Sequence, residues 1–144
     1  MSKLLTPYFL IDEAKLIKNL EILKQVKLET GCKILLAQKA FSSYSFYPLI
    51  GQYLDGVTAS GLFEARLGHE EMKKENHIFS PAYKGMDMEE ITNICEHIVF
   101  NSFSQLEQFQ ELVTKKGKSI GLRINPEYST QGGGIYDPCA YGSR

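Results

Sequence analysis

The sequence has no C-x-x-C pair, no G-x-G-x-x-G fingerprint, no membrane-length apolar run and no excess of one charge, and each absence points away from a class of function. Its three cysteines, Cys32, Cys95 and Cys139, are odd in number, far apart and without a histidine cluster. They read as reduced thiols of a cytoplasmic protein, not as a disulfide framework or a zinc site, and no metal is expected. Sixteen basic against seventeen acidic residues leave a formal net charge of -1 with no long block of either sign. Such a surface offers nothing for nucleic acid or an acidic polymer to recognise. The opening stretch from Met1 to Asp12 is short in apolar length and broken by Pro7, so neither a signal peptide nor a membrane span is expected there.

What is present is a regular step. With 43% hydrophobic and 23% charged residues, the 144-residue chain has the composition of one globular domain with a core. Short apolar runs begin near Ile34, Val57, Ile78, Ile98 and Ile120, so successive starts lie 23, 21, 20 and 22 residues apart. Segments of helical period lie between them: Phe46, Leu49, Ile50 and Tyr53 share a face, and Leu62, Ala65 and Leu67 do so less regularly. A first helix opens at Asp12-Glu13, carries Ile17, Leu20 and Leu23, and ends near Gly31. Asp87-x-x-Glu90 and Ser104-x-x-Glu107 are expected to open two later helices, and Lys115-Lys116-Gly117 to close the second.

Strands alternating with helices at this step require parallel pairing through right-handed crossovers, in an open doubly wound sheet or a closed barrel. The missing glycine fingerprint and the steady repeat favour an α/β fold of (β/α) barrel type. In a barrel the chemistry gathers at the carboxyl ends of the strands. Those ends are Lys39, Thr58 to Gly61, Ser80 to Lys84, Asn101-Ser102 and Arg123 to Pro126.

Lys39 follows the apolar run Ile34-Leu35-Leu36-Ala37 and so stands at such a rim. There a partly desolvated amine would lose some preference for its charged form and become a nucleophile able to form a Schiff base with a carbonyl. The plainer alternative is a solvated lysine closing a strand, its stem lying along apolar surface.

Six blocks in order bear on that choice: Thr6-Pro7-Tyr8-Phe9, Leu36 to Phe41, Ser60 to Gly68, Ser80 to Lys84, Phe100-Asn101-Ser102 with Gly121 to Pro126, and Tyr136 to Cys139 with Ser143-Arg144. Through them nearly the whole chain resembles the pyridoxal-phosphate decarboxylases of the alanine-racemase-like barrel fold, and among these the members acting on carboxylated polyamines. The resemblance implies a partial (β/α)8 TIM-type barrel with about five of its eight strands, residues 13–144 forming the first part of it. Residues 1–12 would be a leading segment that pairs with a later β domain.

It implies decarboxylation of carboxynorspermidine and carboxyspermidine, with pyridoxal 5'-phosphate as cofactor, a small-molecule polyamine carboxylate as substrate and a homodimer as the working assembly. Lys39 would be the residue bonded to the cofactor, and Arg123 would lie near its phenolic oxygen. Glu64 is a doubtful cofactor contact, because related decarboxylases place the acid three residues after the serine and Glu64 comes four after Ser60. Its plainer role is an acid in the first turn of a helix. Relatives of the same fold that decarboxylate diaminopimelate or ornithine, amino-acid racemases, and a non-catalytic carrier of pyridoxal phosphate are the alternatives. The ring-stacking histidine, the phosphate loop and the acid facing the ring nitrogen in this family have no match before Arg144. An N-terminal fragment, inactive by itself, is therefore expected.

Other features read as structural. Gly132-Gly133-Gly134 could cradle a phosphate but lacks a helix start behind it, and it reads as a loop. His77 and His97 each begin an apolar run and should lie at the end of the barrel opposite the chemistry. Tyr44, Tyr47 and Tyr83 read as packing residues with satisfied hydroxyls.

Overall fold

The computed structural model describes residues 5–126, 128 and 130. The glycine run 132–134, Cys139 and the final motif from Tyr136 lie outside the described residues. In chain order the elements are α1 (Glu13–Thr30), β1 (Leu35–Ala37), α2 (Tyr47–Ile50), β2 (Gly56–Ala59), α3 (Leu62–Glu71), β3 (Glu75–Phe79), α4 (Gly85–Ile94), β4 (His97–Phe100), α5 (Phe103–Lys115) and β5 (Ser119–Leu122). All four strand pairings are parallel and the sheet order follows the chain, β1-β2-β3-β4-β5. A doubly wound sheet reverses its order at a switch point. This one does not, which is the strand arrangement of a barrel.

The registers put one parity of each strand on the helix side. Leu36, Val57, Ala59, Ile78, Ile98, Phe100 and Leu122 all fall on that face. They meet Leu20 of α1, Ile50 of α2, Ala65 of α3, Met88 and Ile91 of α4, and Phe109 and Val113 of α5 in two adjoining clusters. α3 touches both, Leu62 and Ala65 on one side and Leu67 on the other, which explains its irregular apolar spacing. Asn76 is wholly buried in the seam, where its Nδ2 donates to Ala65 O (2.8 Å) and Ile94 O (3.1 Å) and ties α3 and α4 to β3.

Local chemistry sets the helix ends. Asp12 accepts from Lys15 N at 3.1 Å to open α1, and Gly31, at φ 69°, closes it by donating to Lys27 O. The Lys27 ammonium then bridges Asp55 (2.7 Å) and Tyr53 O (2.9 Å), while Asp55 accepts from Ile34 N. The end of α1 is thereby pinned to the entrances of β1 and β2.

Five expectations are corrected. The helix over Phe46 to Tyr53 is only a 3-10 turn (Tyr44–Phe46) and the single turn of α2, although Phe46, Ile50 and Tyr53 still share the buried face. Asp87 does not cap α4; the helix begins two residues earlier, behind an extended Lys84, and Asp87 is an acid within its first turn. Ser102, not Ser104, caps α5 by accepting from Gln105 N (3.3 Å). His77 is the third residue of β3, not its first, and Tyr44 is 54% exposed instead of packed.

On the face opposite the helices, His77 and His97 stack, ring centroids 4.8 Å apart, and His77 Nε2 meets Glu75 Oε1 at 2.9 Å. Lys33 closes the group with a 2.6 Å contact to Glu75. Burial, with the neighbouring His77 charge, holds the His97 imidazole below its usual 6.5. Hydrogen bonds from Lys33 and His77 hold the Glu75 carboxyl below its usual 4.5. Both depressed values mean that the unfolded chain binds protons more readily, so stability is full above pH 6.5 and declines on acidification, first through His97 and below pH 4.5 also through Glu75. Thermal midpoints of the complete protein between pH 7.5 and 5 are expected to fall less in His97→Gln than in the wild type. Parallel curves would remove His97 from this role.

Candidate active site at the strand carboxyl ends

Lys39 sits in the tight turn that leaves β1. Ala40 N and Phe41 N both donate to Ala37 O, and Gln38 N extends the ladder to Thr58 O at 3.3 Å. Gln38 is buried, and the Tyr47 hydroxyl reaches its Oε1 and the Phe41 carbonyl, each at 3.3 Å. The turn is thus fastened from below. Lys39 itself is exposed and makes no hydrogen bond or ion pair with the described residues. Its surroundings are therefore less desolvating than a lysine inside a strand rim would find.

Glu64 occupies the first turn of α3, and its Oε2 accepts from Ser60 N at 2.6 Å. That closes the β2–α3 corner and matches the plainer of its two expected roles. The β3–α4 corner is organised by Tyr83, whose hydroxyl accepts from Ser80 N (3.1 Å) and donates to Val99 O (2.8 Å). Burial drives this hydroxyl well above the ordinary phenol range, so it stays protonated and stitches β3 to β4. Tyr47 and Tyr83 are the satisfied packing residues expected of them.

Arg123, just past β5, is anchored through its backbone N–H to Phe100 O at 2.9 Å. Its Nη1 donates to Asn101 Oδ1 at 3.1 Å, and its guanidinium carbon lies 5.8 Å from the centre of the Phe79 ring. Gln105 braces the neighbouring corners, accepting from Asn101 N (3.1 Å) and donating to Pro81 O (2.6 Å). Phe79 and Gln105 are neighbours of Arg123 and Asn101 that sequence reasoning missed. Phe79 alternates onto the inner face as the last residue of β3, and Gln105 follows Ser102 by three, a capping spacing that competes with Ser104-x-x-Glu107.

The strand ends therefore carry an exposed amine, Lys39, directly after β1, a second, Lys84, before α4, and a guanidinium after β5 backed by an aromatic ring. An amine can condense with an aldehyde, and a fixed guanidinium can stabilise an anionic oxygen. Such a set could take an aldehyde that carries an anionic oxygen. A surface depression lined by Gln110, Glu111, Thr114 and Lys115 lies on the later half of α5, toward the opposite end of the sheet.

An in-order parallel sheet with its helices, among the described residues, on one face only defines a segment of a (β/α) barrel. Over nearly its whole length the chain is similar in sequence to carboxynorspermidine decarboxylases. It is 43% identical over 142 residues to the carboxynorspermidine/carboxyspermidine decarboxylase of Campylobacter jejuni subsp. jejuni serotype O:6, covering 99% of this chain and 37% of that relative. With the protein of the same name from Herminiimonas arsenicoxydans it shares 40% over 139 residues, 96% of this chain and 38% of that one. A carboxyaminopropylagmatine decarboxylase from Synechocystis sp. is 38% identical over 144 residues, covering 100% of this chain and 37% of its own length. The crystal structure of carboxynorspermidine decarboxylase complexed with norspermidine, from Campylobacter jejuni, superposes with a TM-score of 0.84 at 43% identity, over 90% of this chain and 35% of that one. The chain thus spans little more than a third of the length of the curated relatives it matches. No protein-family model matches it.

Proposed function

We propose that the protein containing this chain decarboxylates carboxynorspermidine, and carboxyspermidine with it, using pyridoxal 5'-phosphate. The observation that carries the reading is identity of 40–43% to two enzymes of that name along nearly the entire chain, joined to a solved relative of the same fold. Pyridoxal phosphate supplies the electron sink for the pair released when the carbon–carbon bond to carbon dioxide breaks. Lys39 would hold the cofactor through its amine, and Arg123 would stabilise negative charge on the phenolic oxygen. Glu64 acts on the site through the shape of the β2–α3 corner.

The working protein is a cytoplasmic homodimer in this reading, and the exposed apolar residues of the leading segment, Leu5, Phe9 and Leu10, are covered by a later part of it. Among the described residues no helix is long and apolar enough to cross a membrane.

Competing turnover by the complete protein tests the substrate. Carboxynorspermidine and carboxyspermidine are expected to exceed meso-diaminopimelate and ornithine in kcat/KM by about a hundredfold or more, since a site built for a polar chain rejects analogues that leave its groups unpaired. Preference for either amino acid would place the protein with the other decarboxylases of the fold. Carboxyaminopropylagmatine belongs in the same assay because of the Synechocystis relative. Binding of pyridoxal phosphate without turnover of any of these would favour a carrier.

A further inference from the structure

We propose that Asn101 is a positioning residue for Arg123, holding the guanidinium against the inner face of the sheet so that it meets an anionic oxygen without first having to be ordered. The inference rests on the reading that Arg123 faces the cofactor's phenolic oxygen. It adds how that arginine is kept in place.

Arginine on a strand end has a long, freely turning side chain, and a catalytic cation must be confined before it can stabilise charge efficiently. Three contacts confine this one. Backbone pairing of Arg123 N to Phe100 O fixes where the side chain starts. The Phe79 ring lies beside the guanidinium carbon at 5.8 Å, which favours a cation there and limits its tilt. Asn101 Oδ1 accepts from Nη1 at 3.1 Å and fixes rotation about the remaining bonds.

Asn101 is itself not free to drift. Its N–H is taken by Gln105 Oε1 at 3.1 Å, and the other end of the same carboxamide donates to Pro81 O at 2.6 Å. One glutamine therefore joins the corners that follow β3 and β4, and the acceptor presented to Arg123 is referenced to both. A carboxamide also suits the task better than a carboxylate would. It aligns the guanidinium while leaving its positive charge uncompensated for the substrate side.

The test uses the complete protein with Asn101→Ala, Asn101→Asp, Phe79→Leu, Arg123→Ala and the Asn101→Ala/Arg123→Ala double variant. Asn101→Ala is expected to lower kcat about tenfold, the effect of one lost hydrogen bond to a charged group, with KM changed less than twofold. The visible absorption of bound pyridoxal phosphate should shift its pH transition in the same direction as in Arg123→Ala, and cofactor affinity should fall in both, while the thermal midpoint of Asn101→Ala stays within a few degrees of wild type. Asn101→Asp keeps the acceptor but offsets part of the guanidinium charge, so it should recover part of kcat and not all of it. Phe79→Leu should shift the transition in the same sense, and it keeps the proposal testable if Asn101→Ala does not fold. In the double variant Asn101→Ala should add nothing to Arg123→Ala.

A wild-type spectrum and kcat in Asn101→Ala beside an impaired Arg123→Ala would overturn the positioning role and leave the role of Arg123 standing. Equal losses from Asn101→Ala in the presence and absence of Arg123, or no recovery in Asn101→Asp, would also overturn it. An Arg123→Ala protein with unchanged spectrum and turnover would instead remove the reading on which the proposal rests.

Discussion

Replacing Lys39 by alanine is expected to take decarboxylation by the complete protein below detection, a loss on the order of a thousandfold or more as for removal of other covalent nucleophiles. Arginine at this position should do little better, because a guanidinium stays charged and cannot condense with an aldehyde. The reason to expect so large an effect is local. Among the described residues Lys39 has no ion pair or hydrogen bond to lose, so its substitution leaves the Ala37 to Phe41 turn and the Gln38–Tyr47 contact intact. Unfolding would not be the cause. Borohydride reduction of the complete protein with pyridoxal phosphate, followed by peptide mapping, checks the assignment directly. A label on Lys33 or Lys84 would sink it.

The second large effect concerns the sheet itself. A side chain at Gly56 would overlap the Glu75 carbonyl oxygen of the neighbouring strand and place its Cβ 2.7 Å from the carbonyl carbon. The obstacle is backbone paired in register with Gly56, and it cannot rotate away. Gly56→Ala is therefore expected to cost about 3 kcal/mol or more, at the upper end of overpacking penalties. Gly85→Ala is the control, since nothing lies within 4 Å of a Cβ there and the first position of α4 accepts alanine without strain; it should be neutral or stabilising by up to about 1 kcal/mol. Urea midpoints of the two variants decide the matter. Equal midpoints would mean that β2 and β3 can part at that point without loss.

Much of this architecture was legible in the residues because it depends on short-range repetition. Val57, Ile78 and Ile98 recur at the strand step and all face the helices, while Asp12 and Gly31 mark the ends of α1 through their own side-chain and backbone chemistry. Local rules misled where two of them competed. Pro48 and Gly51 cut the expected second helix to one turn, and Gly85, which looks like loop, begins α4. The rim was legible only in outline. Lys39, Asn101 and Arg123 could be placed at strand ends, but the contacts of Arg123 with Asn101 and of Gln105 with Pro81 join residues 22 and 24 apart in the chain, and nothing in either segment announces the other. Glu64 shows the same limit from the opposite side. Its helix-opening role follows from position alone, whereas any role toward a ligand depends on residues far along the chain.

Because the helices cover only one face, neighbouring residues in a strand answer to opposite demands. In register across the sheet, Thr58, His77 and His97 form one row on the inner face, while Ala59 and Ile78 belong to the row packed beneath the helices. A slip of one residue in β3 or β4 would exchange the two rows there, burying a histidine among apolar side chains and turning an isoleucine onto the inner face. Misregistered chains would thus lose their core and their inner-face row together. A polypeptide that has reached the correct core has, by the same alignment, already put its reactive groups on the correct side.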